Sequence, residues 1–292
     1  MTGILLIDKS EGWTSHDVVA KLRRLLGERR VGHAGTLDPM ATGLLTIFVG
    51  RATRAVSFAE AAEKTYIARL RLGVTTDTQD ITGRVLKTAA VNVSQAMLEA
   101  VLPRFLGEIQ QIPPMYSAIK IDGQRLYKLA RQGVEVERKA RPVTIHRIMI
   151  LGQAEGDFEL EITCSKGTYI RTLCHDIGEA LGCGGTMSAL RRTKVGVFSM
   201  EEAHTIAEVE ATADRRELIQ PLDTLFVSYP ALTVDSAGER GIRNGQTVPL
   251  EAGSPGLVRV YGQDGAFLTL GEVVEQRGLA LRTVKSFFAL DS

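Results

Sequence analysis

The stretch "VGHAGTLDPMATG", residues 31–43, places one carboxylate, Asp38, directly before Pro39, with His33 and three glycines around it. Asp and Pro are both turn residues, and a residue preceding proline is steered away from helix, so the local reading is a tight turn. The chemical reading is that the turn aims Asp38 as a nucleophile or a base. Such an Asp must be ionised, and its ordinary pKa is about 3.9. Burial in an apolar cleft would raise that value, and a guanidinium alongside would lower it again. Arg171, in "SKGTYIRTL", is a suitable partner because Arg stays charged and can grip a carboxylate in a fork. Tyr66, Tyr169 and His33 complete the set of side chains with chemical potential. Taken singly, each of them also has a structural reading.

Other chemistries find little support. There is no G-x-x-x-x-G-K-[ST] motif, and "GCGG" (182–185) follows a helical pattern without the G-x-G-x-x-G spacing, which argues against an ATPase or a dinucleotide enzyme. His33 and Asp38 alone are a thin ligand set for a metal. Cys164, Cys174 and Cys183 are odd in number and widely spaced, which suggests reduced core thiols. Cys174 and His175 are neighbours on a helix and diverge by about a third of a turn, so they are poorly placed to act as a pair.

The elements that must position Asp38 can be read from periodicity. "TSHDVVAKLRRLLG" predicts a helix with a capping box at Thr14 and Asp17, an apolar stripe of Val18, Val19, Leu22, Leu25 and Leu26, and a stop at Gly27. "TIFVG" (46–50) reads as a buried strand. "TYIARLRLG" (65–73) alternates, which turns Tyr66 inward with Ala68, Leu70 and Leu72. Ser94 caps a helix expected to run through Leu98, Val101, Leu102, Phe105 and Leu106 to Gly107. "FELEITC" (158–164) is a strand, and Ile170, Leu173, Ile177 and Leu181 mark a helix stopped by Gly182. Tyr169 and Arg171 therefore fall at a strand-to-helix junction, where side chains commonly face a cleft. Residues 113–133 have a different texture, with Pro113-Pro114, an expected Asp122-Gly123 turn and a short basic helix, and read as an inserted arm. From Tyr229-Pro230 onward, short β runs between turns suggest a small all-β module of about 60 residues.

With 292 residues and 44% hydrophobic content, the chain can bury a large core in one large domain plus a small one. No apolar run reaches the roughly 20 residues of a membrane span, and "MTGILLIDKSEGW" has neither a basic leader nor a small-residue cleavage site. A cytoplasmic location without membrane attachment is the expectation. The net charge is only +1, yet residues 120–147 carry eight Lys or Arg against three acids. That run is either a solvated face or a segment that tracks phosphates, for which a local field suffices. The terminal module is close to neutral.

Taken together, these motifs resemble the TruB family of tRNA pseudouridine synthases. "GILLIDKSEGWTSHDVV", "VGHAGTLDPMATGLLTIFVGRATR", "KTYIARLRLGVTTDTQDITG", "IPPMYSAIKIDGQRLYKLARQG" and "SKGTYIRTLCHDIG...LRRTKVGVF" resemble five family blocks in order, over most of residues 3–198. Ser10 departs from the pattern, which usually has proline after the lysine.

The resemblance implies a mixed α/β (α+β) fold, with a catalytic domain over residues 1–228 built on a largely antiparallel sheet. A basic RNA-binding insertion at about 113–147 and a PUA-like RNA-binding module at 229–292 complete it. It implies isomerisation of uridine to pseudouridine at position 55 in the T loop of tRNA, by a monomer, with no cofactor and no metal. Asp38 matches the catalytic aspartate, and attack on the sugar, attack on the base and removal of a sugar proton are all open to it. Tyr66 matches the tyrosine that stacks on the target base, and Arg171 the arginine paired with the aspartate. Tyr169 and Leu190 match walls of the uridine pocket, and His33 an RNA contact beside the flipped nucleotide. Lys9, Lys120, Arg125, Lys128, Arg131, Lys139 and Arg141 are expected to touch RNA. The rivals are an RNA-guided relative acting on ribosomal RNA, a non-catalytic tRNA-binding or tRNA-folding protein, and a metal-dependent nuclease or deaminase. The first tends to be longer, with a larger PUA domain and basic tails.

Overall fold

The computed structural model describes residues 1–117, 119–121, 123–275 and 278–288, and Arg131 by its backbone. The chain opens with β1 (Gly3–Lys9), α1 (Ser15–Leu26), β2 (Val31–Ala34) and β3 (Thr42–Val49). Next come α2 (Val56–Ala61), β4 (Lys64–Leu72), a hairpin of β5 (Val74–Thr76) and β6 (Val85–Thr88), α3 (Gln95–Val101) and β7 (Gly107–Gln111). A second small hairpin, β8 (Lys120–Ile121) and β9 (Gln124–Arg125), leads into α4 (Leu126–Arg131). The N-terminal part is completed by β10 (Arg141–Ala154), β11 (Asp157–Cys164), α5 (Ile170–Ala180), β12 (Gly185–Val195), β13 (Phe198–Ser199) and α6 (Ile206–Ala211).

Among the described residues, nine of these strands form one sheet in the order β1-β3-β12-β4-β11-β10-β7, with β2 added to β3 and β13 to β12. Its one parallel pairing joins Arg191 and Arg192 of β12 to Thr42 and Gly43 of β3, immediately after the Asp38 turn. The rest is antiparallel. Strand β3 is apolar on both faces because both are covered. Leu44 and Phe48 enter one core with Ile4 and Leu6, while Leu45 and Ile47 pack with Leu5, Ile7 and the stripe of α1. Each fully buried Leu or Ile there contributes about 1.5–3 kcal/mol.

Helix α1 has the expected capping box between Thr14 and Asp17, and Gly27 closes it in the left-handed conformation at φ 61°. Tyr66 packs with Ala68 and Leu70 against the core under α5, as the alternation of β4 predicts. The helix after Ser94 is shorter than expected. Its α-helical part stops at Val101, and a 3₁₀ turn over Leu102–Phe105 takes the chain to Gly107. Pro103 lacks the N–H that an α-helical ladder needs, which ends the helix there. The arm also ends sooner than its basic run, since Arg141 to Arg147 form the first half of β10 inside the main sheet. Asp122 of the expected turn lies outside the described residues.

The C-terminal part is a second sheet of β14 (Ala231–Thr233), β15 (Val248–Pro249), β16 (Gly256–Tyr261), β17 (Phe267–Glu275) and β18 (Leu279–Ser286), ordered β14-β16-β17-β18-β15. It also contains a helix, α7 (Ser236–Arg243), which a reading of β runs alone does not include. Asp235 caps it by accepting from Gly238 N, and Arg243 pairs with Glu239 one turn back. An aromatic cluster joins this part to the N-terminal part. Phe226, fully buried, meets Phe58 edge-on at 5.3 Å, and lies 5.9 Å from Phe287 and 6.1 Å from Phe267. The Tyr261 hydroxyl donates to Asp223 at 2.6 Å across the same join. No helix among the described residues is long and apolar enough to cross a membrane.

Phe226→Ala should cost about 3–5 kcal/mol in urea unfolding. Amide exchange should speed up in β17 and β18 before it does in β4 and β11.

Candidate active site

The Asp38 turn has no strand or helix partners of its own, so its backbone groups need others. Two buried cations and one hydroxyl provide them. The Lys9 ammonium donates to the carbonyls of Ser10 (3.0 Å), Trp13 (2.7 Å) and Pro39 (3.3 Å). Arg192 donates from Nε to Leu44 O (2.7 Å) and from Nη2 to Gly35 O (2.8 Å). Ser15 Oγ accepts from Leu37 N at 3.0 Å, and Gly12 N donates to Pro39 O at 2.8 Å. Gly35 sits at φ +70°, and a Cβ there would lie 3.1 Å from Arg192 Nη1, so the close approach needs glycine. The expectation that Lys9 touches RNA is therefore corrected. Its side chain has no exposure, burial lowers its pKa to about 8, and its donors are committed to carbonyls. Ser10 still supplies one of those carbonyls without being proline.

Arg171 lies in the first turn of α5 and is 5% exposed. Its Nε is 3.0 Å from Asp38 Oδ2, and its Nη1 is 3.4 Å from Asp80 Oδ2. Nη1 also donates to Thr78 O (2.9 Å), and Nη2 donates to Tyr116 O (2.8 Å) at the root of the arm. Asp80 is buried, and its Oδ1 accepts from the Thr78 hydroxyl (2.9 Å), Thr82 N (3.0 Å) and the Thr82 hydroxyl (2.5 Å). Beside it Gln79 takes φ +64°, rare for a non-glycine residue. That conformation is held by Met187 N donating to Gln79 O (3.1 Å) and by the Thr172 hydroxyl donating to Gln79 Oε1 (2.7 Å). Burial raises the Asp38 pKa above the ordinary 3.8, and the Arg171 guanidinium is the main influence pulling it back.

Tyr66 and Leu190 stand on neighbouring strands, Leu190 pairing with Ala68 two residues beyond Tyr66. Tyr169 precedes α5, and Gln111 grips its backbone from both sides, accepting from Tyr169 N (2.8 Å) and donating to Tyr169 O (3.0 Å). Burial pushes both tyrosine hydroxyls upward. Asp38, Tyr66, Asp80, Tyr169, Arg171 and Leu190 all line one cleft of about 1430 Å³. His33 does not line it. Its ring packs edge-on against His16, which does, at 5.5 Å, and burial lowers its pKa to about 4, so it is neutral near pH 7.

Of the basic arm, Lys120 and Arg125 reach the cleft. Lys128, Lys139 and Arg141 are exposed outside it, and the Arg131 side chain lies outside the described residues. The residues that sequence reasoning missed are Asp80, Gln111 and Arg192. Nothing in "TTDTQDITG" marks Asp80 as a buried partner of Arg171. Among the described residues, no group of three or more His, Cys, Asp or Glu side chains is placed to hold a metal ion.

The sheet thus carries a loop aspartate paired to a buried arginine next to an aromatic wall, and the comparisons with known proteins make the chain a pseudouridine synthase. The model of the TruB family pseudouridylate synthase N-terminal domain matches residues 23–170. Models of the tRNA pseudouridylate synthase B C-terminal domain and of the pseudouridine synthase II TruB C-terminal region match 171–227 and 230–280. The chain belongs to the TruB family. It is 48% identical over 272 residues to tRNA pseudouridine synthase B of Dechloromonas aromatica, covering 92% of this chain and 91% of that one. It is 45% identical over 291 residues to that of Pseudomonas fluorescens, covering 97% and 95%. Among solved structures, a chain of a Cbf5-Nop10-Gar1 complex aligns with TM-score 0.76 and 28% identity over 99% of this chain and 85% of that one. A chain of an H/ACA RNP bound to a substrate RNA containing 2'-deoxyuridine aligns with TM-score 0.73 and 26% identity, over 99% and 86%. The sheet and the PUA-like C-terminal part are thus those of the TruB/Cbf5 fold. The lower identity to the RNP proteins does not favour the RNA-guided rival.

Carboxyl NMR should show Asp38 titrating above 3.8, and Arg171→Met should move it further up, because the main influence stabilising the carboxylate is gone. A raised folded-state pKa means that wild type loses stability relative to Asp38→Asn as pH rises from the ordinary carboxylate value through the raised one. A titration at or below 3.8 would contradict the burial-dominated environment.

Proposed function

We propose that this chain isomerises uridine to pseudouridine at position 55 in the T loop of tRNA, with Asp38 as the catalytic carboxylate. The observation that carries the reading is the presentation of Asp38 at the cleft, 3.0 Å from Arg171, beside Tyr66. That the relatives are tRNA pseudouridine synthases supports tRNA as the substrate.

A base inside a folded loop is out of reach, so the nucleotide must be extruded at a cost of a few kcal/mol. Stacking on Tyr66 is worth roughly 1–3 kcal/mol and offsets much of that. Leu190 and Tyr169 then wall the uracil. Asp38 drives cleavage of the N1–C1′ bond, the uracil turns within the walls, C5 bonds to C1′, and N1 takes up a proton as C5 loses one. Arg171 keeps Asp38 ionised and aimed. Tyr66 also assists removal of the C5 proton. His33, neutral and packed on His16, acts on the RNA through that ring rather than as a charge. Lys120, Arg125 and the exposed cations of the arm meet T-arm phosphates. The catalytic domain is taken as residues 1–228, and the PUA-like part at 229–292 adds an auxiliary RNA contact. The same reading has the enzyme working as a monomer in the cytoplasm, and light scattering with and without tRNA tests the oligomeric state.

Tritium release from a tRNA transcript carrying C5-labelled uridine should proceed with wild type without added metal or nucleotide, and stay at background with Asp38→Asn. An active Asp38→Asn enzyme removes the catalytic assignment. Tyr66→Phe should bind tRNA normally while slowing turnover by about 10²-fold or more. Full activity would reduce Tyr66 to a stacking surface. Lys120→Gln with Arg125→Gln should weaken tRNA binding and flatten its salt dependence, and unchanged affinity would return the arm to a solvated face.

A further inference from the structure

Four carboxylates line the cleft. Asp38 and Asp80 share one guanidinium, and Asp77 and Glu60 line the same space. Of the lysines and arginines lining it, Arg171, Arg192 and Lys64 face inward and are buried, and their donors are committed to protein groups. Four exposed cations remain around the rim. Lys120 and Arg125 belong to the arm. Arg84 and Lys166 come from two other segments, the turn that leads into β6 and the turn between β11 and α5.

We infer that Arg84 and Lys166 are phosphate contacts for the nucleotides that flank the extruded uridine, so that the strand is held from segments outside the arm as well as by it. This rests on the proposed tRNA substrate. Lys166 lies close enough to the Lys64 ammonium to oppose its charge, and no described carboxylate is paired with it. Lys64 has Glu60 beside it as a counter-charge, whereas the exposed Lys166 ammonium is left to gain when a phosphate arrives. Arg84 has a carboxylate at hand, Asp77, but at 3.9 Å and with the arginine side chain 79% exposed. Such a surface pair is worth about 0–1 kcal/mol, too little to prevent the guanidinium from turning to a phosphate. The backbone beneath it is well fixed, since Arg84 N donates to Asp77 Oδ1 at 2.8 Å. Lys166 stands three residues before Tyr169, whose backbone Gln111 clamps. Both cations are thus carried on short segments tied directly to the groups around Asp38.

The test uses the full chain and an unmodified tRNA transcript, with Arg84→Gln, Lys166→Gln and the double variant. Arg216→Gln, which removes an exposed cation paired with Asp214 and not lining the cleft, is the control. Binding is measured across a salt series, and tritium release in single turnover at saturating enzyme. Each cleft variant should lower the slope of log K against log salt by about 0.7–0.9. Each should also weaken binding roughly three- to tenfold at low salt, with the saturated rate within about twofold of wild type. The control should match wild type. Slopes unchanged from wild type, or a lost saturated rate with an unchanged slope, would overturn the assignment. A wild-type chain that binds tRNA but releases no tritium would instead remove the proposed reaction, leaving the phosphate contacts to be decided by the slopes.

Discussion

The guanidinium of Arg171 is the group on which the site depends. It is nearly inaccessible and is shared between two carboxylates and two carbonyls that belong to three different segments. A buried charge of this kind is tolerable only when its donors are met, and removing one partner typically costs about 3–5 kcal/mol. That energetic demand makes the arrangement stiff. Asp38, the turn at 77–82 and the root of the arm at Tyr116 all take their positions from one planar fork. Asp80 completes it as a buried counter-charge, itself held by the Thr78 and Thr82 hydroxyls, so that Asp38 is left accessible while the charge balance is kept underneath.

Lys9, Lys64 and Arg192 extend the same principle outward. Each is buried, and each donates to two or more backbone carbonyls. Lys64 closes the end of α2, while Lys9 and Arg192 pin the two sides of the Asp38 turn. Interior cations therefore build the cleft, and exposed ones surround it. The distinction is one of burial rather than residue type, which is why Lys9 could be mistaken for an RNA contact.

Much of the local structure was legible in advance. The Thr14 and Asp17 box, the stripe of α1, the inward turn of Tyr66 on β4 and the junction that carries Tyr169 and Arg171 all follow from interactions within a few residues. The Pro103 break was legible too, but the apolar pattern running on to Leu106 masked it. Helix α7 lay hidden among β runs because it is only eight residues long. The same locality explains the failures at the site. Asp80 looks like one more turn acid in "TTDTQDITG", and Gln111 like one of a polar pair, since what each binds is about 60 to 90 residues away.

From sequence alone came the kinds of side chain, their local conformations, and a lone Asp in a stiff turn. Those depend on propensity, periodicity and caps, which short segments carry by themselves. The pairing of Asp38 with Arg171 was expected, but the sharing of that guanidinium with Asp80, the burial of Lys9 and Arg192, and the placing of Arg84 and Lys166 on one rim were decided only by the tertiary structure. The parallel contact of β12 with β3 and the clamping of α5 bring those groups together. Burial and distance, which set charge state and partner, exist only once the sheet has closed around them.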